Sequence, residues 1–361
     1  MASNFGNALK VSVFGESHGT AIGMVMEGVP AGEYIDMDRL NAFMARRKPG
    51  QSDLTTPRKE ADLPKFLSGV QEGYTSGFPV AAIIENSNQH SSDYSNLLVN
   101  PRPGHADYTA FLKYGEHRDM RGGGHFSARL TAPVCIAGGI ALQMLERRGI
   151  YVGAHLLSVG SVQDEHFPIT PTKELFDEVD SRSPAVLSEE AGARMAEEIR
   201  SAAAEGDSVG GVIECTVIGV PAGLGDPMFD GIENKIAGTM FGIPAVKGIE
   251  FGAGFAVAHM KGSENNDPFT VADGEVKTTT NHAGGILGGI SNGMPITFRI
   301  AIKPTPSIFK EQQTVNLETM EETTLQIKGR HDPCVAVRAV PVVEALTATI
   351  VADLLLENGK L

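Results

Sequence analysis

Tryptophan is absent from this 361-residue chain, and aromatics make up only 6% of it. Aromatic cages and base-stacking platforms are therefore poor candidates for its binding chemistry. Cations are scarce too: 30 Lys and Arg stand against 44 Asp and Glu, a net charge of −14. Nonspecific nucleic-acid binding needs a basic surface that displaces counterions, so no nucleic-acid partner is expected. The three cysteines (Cys135, Cys215, Cys334) are far apart and form no CxxC or CxH pair. Neither a disulfide framework nor a metal site is expected, and a reducing, cytoplasmic compartment follows. The opening MASNFGNALKVSVFGESHG lacks the charged-then-apolar pattern of a secretory leader. No run approaches the ~18 apolar residues of a spanning helix. The most apolar stretch, Ala132–Leu145, is interrupted by Pro133 and the Gly138-Gly139 pair, so no membrane partner is expected.

Glycine (42) and proline (20) are abundant without being low-complexity, which points to turns, close backbone approaches and ligand loops. The few cations are concentrated. Seven Lys and Arg face three acids between Arg39 and Lys65, and five face three between Pro101 and Leu130. An acidic protein that gathers its bases in two glycine-bearing stretches suits a small anionic ligand there, although a solvated basic face has the same charge.

The hydrophobic pattern alternates strands and helices, an α+β mixture. Strands are expected at Lys10–Phe14, Ile22–Glu27, Val80–Glu85, Val209–Val220, Val246–Gly252 and Pro295–Ile302. Helices are expected at Asp36–Arg47 with Asp36 as N-cap, Thr131–Arg148 with Thr131 as N-cap, Ser188–Ala204 and Val340–Glu357. The second of these is apolar nearly all round and should be central. Gly28-Val29-Pro30-Ala31-Gly32 follows a strand and precedes a helix, and Gly219-Val220-Pro221-Ala222-Gly223 repeats it. No linker separates the two, so one continuous domain over residues 1–361 with an approximate internal two-fold is expected.

Several loops bear chemistry. Phe14-Gly15-Glu16-Ser17-His18-Gly19 sets a Ser-His pair between glycines, where an imidazole can move a proton near neutral pH. It is not a GxSxG nucleophile elbow. Pro101-Arg102-Pro103-Gly104-His105-Ala106-Asp107 puts Arg and His on a stiff turn before a helix. Arg121-Gly122-Gly123-Gly124-His125-Phe126-Ser127-Ala128-Arg129 is a glycine loop whose amides could cradle a phosphate, without the signature of a P-loop or a Rossmann turn. The stretch 281–293 is the densest in glycine and enters a strand ending at Lys303-Pro304-Thr305-Pro306-Ser307. Gly329-Arg330-His331-Asp332-Pro333-Cys334 joins a cation, an imidazole and a carboxylate on one turn. Each signal has an ordinary structural explanation when taken alone.

Taken in order, FGESHG, RRKPGQ, RPGHADY, GGGHFSAR, HAGGILGGISNG, KPTPS and RHDPCVAVRAVPVVEA resemble the chorismate synthase family from about Gly6 to the C-terminal helix. The resemblance implies a β-α-β sandwich fold and usually a homotetramer. It implies a lyase of the shikimate pathway that feeds aromatic amino acid biosynthesis. The family converts 5-enolpyruvylshikimate 3-phosphate to chorismate by 1,4-anti elimination of phosphate, with reduced FMN as cofactor and, in some members, NADPH as its reductant.

By similarity His18 acts on the reduced flavin, His105 protonates or neutralises the departing phosphate, and Asp332 assists the flavin as base. Arg47, Lys48, Arg102, Arg129 and Arg330 hold the substrate anions, with Ser17 beside them. The cofactor contacts implied are Arg47, His125, Phe126, Ser127, Pro244, Ala245, Gly288, Lys303, Pro304, Thr305, Pro306, Ser307 and Arg330. This chain departs from the family pattern at His125-Phe126, where Arg-Ser is usual. It also departs at Leu130, usually Glu, at Pro244, usually Asn, and at Asp53, where a basic residue is common. These changes fall on the flavin contacts. A flavin- or phosphate-binding homologue without the activity is the alternative reading.

Overall fold

Short strands separated by glycine turns build two five-stranded antiparallel sheets, and the most apolar helices fill the space between them. The computed structural model describes residues 3–50, 52–56, 60–86, 99–272, 274–327 and 331–361. The first half runs β1 (Asn4–Phe5), β2 (Lys10–Gly15), β3 (Ala21–Glu27), α1 (Met37–Arg47), β4 (Lys65–Ser68), the hairpin β5–β6 (Val70–Gln71, Tyr74–Thr75), β7 (Val80–Glu85), α2 (Asp107–Tyr114) and α3 (Thr131–Glu146). The second begins with β8 (Tyr151–Val159), β9 (Val162–Gln163), α4 (Lys173–Asp180), α5 (Glu189–Ala204), β10 (Gly211–Ile218), α6 (Ile232–Met240), β11 (Val246–Phe251) and α7 (Gly262–Asn265). It continues with hairpins β12–β13 (Phe269–Ala272, Glu275–Thr278) and β14–β15 (Ile286–Leu287, Ile290–Ser291), β16 (Ile296–Ile302), the hairpin β17–β18 (Gln312–Asn316, Glu321–Leu325) and α8 (Ala336–Glu357).

The sheets have the orders β1-β2-β3-β7-β4 and β9-β8-β10-β16-β11. Apart from the two-residue edge strands β1 and β9, these match position for position in chain order, and each sheet is followed by a long crossover into one core helix. Helix α3 packs on β3 and β7, α8 packs on β8 and β10, and the two helices pack on each other. This is the β-α-β layering of an α+β fold. One contiguous apolar core runs from Leu9 through both sheets to Leu355. Gly138 lets the helices meet: a Cβ there would lie 2.2 Å from that of Ala345.

The repeated turn is held by the same bonds in both halves. Gly32 N donates to Thr75 O (2.8 Å), Glu33 N to Thr75 Oγ1 (2.9 Å) and Thr75 Oγ1 to Pro30 O (2.6 Å). In the second half Gly223 N donates to Ser291 O (2.8 Å), Leu224 N to Ser291 Oγ (2.9 Å) and Ser291 Oγ to Pro221 O (2.6 Å). The internal two-fold expected from the sequence echo is therefore present in the hydrogen bonding.

Three expectations need correction. Thr131 does not cap α3 with its side chain. Leu130 occupies the cap, and Thr131 Oγ1 instead donates to Ala128 O (2.6 Å) and accepts from Arg47 Nε (3.1 Å). Helix α8 begins at Ala336 rather than Val340 and contains Pro341. Two segments, Ala128–Glu146 and Ala336–Glu357, do have the length and hydropathy of spanning helices, but 89% and 94% of their apolar windows are buried in the fold. They are the core helices, which small residues such as Gly138 and Gly139 allow to pack closely.

On the outer side of the second sheet the polar side chains form a row. His155 on β8 faces Glu214 on β10 (Nε2–Oε2 3.2 Å), and Glu214 lies beside His166 (2.7 Å) and Arg299 (3.6 Å). Asp164 stands 3.6 Å from His155 Nδ1 and accepts the amides of Leu187 and Ser188 at the start of α5. Burial disfavours a charged His155, but the Asp164 and Glu214 carboxylates outweigh it and raise its pKa. A raised folded pKa contributes stability below the unfolded value of ~6.5 that is lost as pH rises through the folded one. Urea unfolding should show stability falling with pH over that window, and His155→Gln should flatten this component. An unchanged slope in the variant would assign the pH dependence elsewhere.

Candidate active site

Most candidate residues lie on the β2–β3 turn and on the two crossovers, β7 to α3 and β16 to α8, with Arg47 and Lys48 at the end of α1, Pro244 and Ala245 before β11 and Gly288 between β14 and β15. Ser17 and His18 are buried in the β2–β3 turn, with Ser17 N donating to Gly124 O (3.1 Å). The glycine loop lies against them. Gly122 (φ 61°) and Gly123 (φ 88°) have backbone conformations that side chains rarely adopt. A Cβ on Gly122 would sit 2.5 Å from His18 Nε2, and one on Gly123 would sit 3.4 Å from His105 Nε2. The two histidines thus approach one bare stretch of backbone, which explains why no side chain is tolerated there.

His105 is oriented by a carboxylate. Its Nδ1 lies 2.7 Å from Asp107 Oδ1, which places the proton on Nδ1 and leaves Nε2 as the reactive nitrogen. Asp107 also binds Arg102 through Nε (2.7 Å), Nη2 (2.8 Å) and the Arg102 amide (3.0 Å). Burial opposes its ionisation, but Arg102 and His105 hold its carboxyl far below the usual range. Arg102 Nη1 donates to Ser307 Oγ (3.2 Å), and Lys303 Nζ donates to Gly104 O. The Lys303–Ser307 segment of the second crossover therefore meets the Arg102–His105 turn of the first. Pro304 packs near Gly210, and Pro306 lies 3.4 Å from where a Gly104 Cβ would be.

Deeper in, Asp62 is shared by two guanidiniums. Arg47 Nη1 binds one oxygen (2.9 Å) and Arg129 Nη1 the other. Arg47 also donates from Nε to Thr131 Oγ1 and from Nη2 to Ala128 O (2.9 Å). Burial, and after it Arg338, pull the Arg47 guanidinium down to about 10, with Arg129 adding to this and Asp62 opposing it. Arg129 Nε donates to Asn86 Oδ1 (3.1 Å), yet its Nη2 is buried without a hydrogen-bond partner among the described residues. Thr305 Oγ1 is in the same condition. Asp332 accepts from Thr56 N (2.9 Å) and Arg338 Nη1 (2.7 Å), and Arg338 Nε reaches Arg47 O (3.0 Å).

Other sequence candidates are placed less closely. Ser127 caps the turn before Arg129 and accepts its amide (3.3 Å). Phe126 is partly exposed, its ring 6.3 Å from that of Tyr114. His125 has both ring nitrogens engaged inside the chain, Nδ1 by Gly15 O (2.8 Å) and Nε2 by Ser3 Oγ (2.9 Å). Pro244 lines a crevice with Arg47, Ala128 and Arg338, and Ala245 accepts the Lys303 amide (3.0 Å). Gly288 sits in the β14–β15 turn with open space above it. Lys48 closes α1. Asp53 pairs with Arg200 (2.7 Å). Arg330 lies outside the described residues. The sequence reading gave no role to Asp62, Asp107, His331 or Arg338. All four stood in the basic stretches or motifs, but only their partners reveal what they do.

The sequence profile of the chorismate synthase family matches residues 9–356. The chorismate synthase of Lancefieldella parvula is 47% identical over 368 aligned positions, covering 98% of this chain and 96% of that protein. That of Thermococcus kodakarensis is 49% identical over 353, covering 98% and 97%. A solved chorismate synthase crystal structure superposes with a TM-score of 0.77 at 28% identity, covering 98% of this chain and 93% of that one. With profile, relatives and fold in agreement over nearly its whole length, this chain belongs to the chorismate synthase family.

Proposed function

We propose that this chain carries out the chorismate synthase reaction, elimination of phosphate from 5-enolpyruvylshikimate 3-phosphate, between His18 and His105. The observation that supports this most is the pair of histidines that meet the adjacent Gly122 and Gly123, in a loop that leads to Arg129 and its unspent buried donor. The substrate bears a phosphate and two carboxylates. Arg102, Arg47, Arg129 and Lys48 supply the opposing charge, with Arg330 by resemblance and Ser17 as a neutral donor. Arg47 contributes its charge, each guanidinium nitrogen already making one bond within the chain.

His105 protonates the leaving phosphate from Nε2. Asp107 stabilises the imidazolium before transfer and keeps the tautomer correct afterwards. Reduced FMN, when bound, lends electron density to the elimination and recovers it. Arg129 Nη2 and Thr305 Oγ1, buried donors without partners, fit a polar or anionic ligand of this kind. Ser127, Phe126, Ala245, Gly288, Arg330 and the Lys303–Ser307 segment would hold the cofactor, Pro244 lining their floor. His18 would share a proton with it, and Asp332 would assist as base. His125 belongs to this shell only if the Ser3 and Gly15 contacts give way.

The remaining expectations belong to the same reading. NADPH is the candidate reductant, the chain is cytoplasmic and folds as one domain, and it assembles with copies of itself into a tetramer. Three buried, unpaired cysteines support a reducing compartment. Exposed Phe229, Phe255, Phe269 and Val271 support association.

The test is anaerobic phosphate release. Release is expected with chemically reduced FMN and none with oxidised FMN alone. Recovery with oxidised FMN plus NADPH would show self-reduction. No release under reducing conditions overturns the proposal.

A further inference from the structure

The turn at 331–332 supplies a third histidine that the roles above leave idle. His331 is half-buried, in the field of Arg102, His105 and Asp332. Its Nε2 is sealed from solvent and has no hydrogen-bond partner among the described residues. A buried polar atom in this state is costly and needs an explanation. Asp332, the next residue, does not supply a partner: its carboxylate turns to the Thr56 amide and to Arg338 Nη1 instead. The ring does not resolve the problem by charging either. Burial first, then the neighbouring Arg102 and His105, pull its pKa down to about 4.

The neighbours are equally specific about what is missing. Arg102 places Nε and Nη2 on Asp107 and Nη1 on Ser307, so it offers charge while part of its donor set is already committed. A phosphate beside it has further acceptor oxygens to satisfy. We propose that His331 is a ligand-contacting residue, an uncharged imidazole whose Nε2–H donates to the phosphate held beside Arg102 and His105. This rests on the reading of the cluster as the active site. An uncharged donor fits the reaction: it adds a hydrogen bond without adding a cation that would retain the released phosphate.

The test uses inorganic phosphate as an inhibitor of anaerobic turnover, together with melting of the ligand-free protein. His331→Phe should raise the phosphate inhibition constant and KM roughly tenfold or more, the scale of a hydrogen bond to a charged group. Its kcat should fall less. The ligand-free variant should melt no lower than wild type, because an unsatisfied nitrogen has been removed. His331→Gln, whose side-chain amide can place a donor near the same point, should recover most of the phosphate affinity. If His331→Phe melts lower and binds phosphate as wild type does, the histidine is structural and the proposal fails. It fails equally if His331→Gln is no better than His331→Phe. His105→Ala separates the two readings. Weaker phosphate binding in that variant alone sinks only the role of His331. Unchanged binding in all three removes the anion site from this cluster.

Discussion

Replacing His105 by alanine should lower kcat by roughly 10²- to 10⁴-fold, the range for losing a positioned proton donor. The imidazole is well prepared for that task. Asp107, itself locked by three contacts from Arg102, fixes the Nδ1 proton and aims Nε2 across Gly123. His18→Ala should cost a comparable factor, its Nε2 bordering the adjacent Gly122. Neither change removes a large apolar surface, so both proteins should remain folded and bind oxidised FMN nearly as wild type. Single-turnover phosphate release separates the chemical step from binding. Rates within about threefold of wild type in both variants would be incompatible with the assigned roles.

Asp62→Ala should destabilise the protein by about 3–5 kcal/mol, the cost of breaking a buried ion pair by removing one partner. Asp62 is 3% exposed and is the shared counter-charge of Arg47 and Arg129. Burial would raise its pKa, but Arg47 and then Arg129 outweigh that and lower it. For a lowered carboxyl, the stabilisation is present above the unfolded value of ~3.9 and is lost as pH falls through the folded one. Urea unfolding at pH 7 should therefore show the full loss in Asp62→Ala, and the gap from wild type should narrow in acid. A loss below about 1 kcal/mol would mean that the arginines find another counter-charge.

Much of this was legible in the sequence, and the residues show why. Asp36 read as an N-cap and is one, accepting the amides of Asp38 and Arg39 (3.0 and 3.1 Å). The Gly-Val-Pro-Ala-Gly echo read as two halves because backbone turns are local and their bonding recurs. Strand β8 escaped notice because Val152, Ala154 and Leu156 face the core while Gly153 and His155 are covered from outside. A strand buried on both faces shows no alternation. His18, His105 and Arg129 stood out by their glycine context. Asp62 did not, since nothing within Asp62-Leu63-Pro64 indicates that two arginines from distant elements will converge on it. The place of His125 in its loop says nothing of its bonds to Ser3, just before β1, and to Gly15, at the end of β2, both far away in sequence.

The duplicated crossovers have an electrical consequence. Thr131 and Arg338 border one crevice, Cys135 Sγ lies 3.9 Å from Pro341 O, and Gly138 meets Ala345. The contacts advance in step, so α3 and α8 run parallel rather than antiparallel. Their peptide dipoles add, and each brings roughly half a positive charge to the same end of the core. That end is the arginine cluster, where Asp62 and Asp332 are the nearby counter-charges. An antiparallel pair would have cancelled this field. By repeating one half, the fold has made the N-terminal ends of two predominantly apolar helices a shared source of positive potential, and a bound anion relieves the repulsion between them.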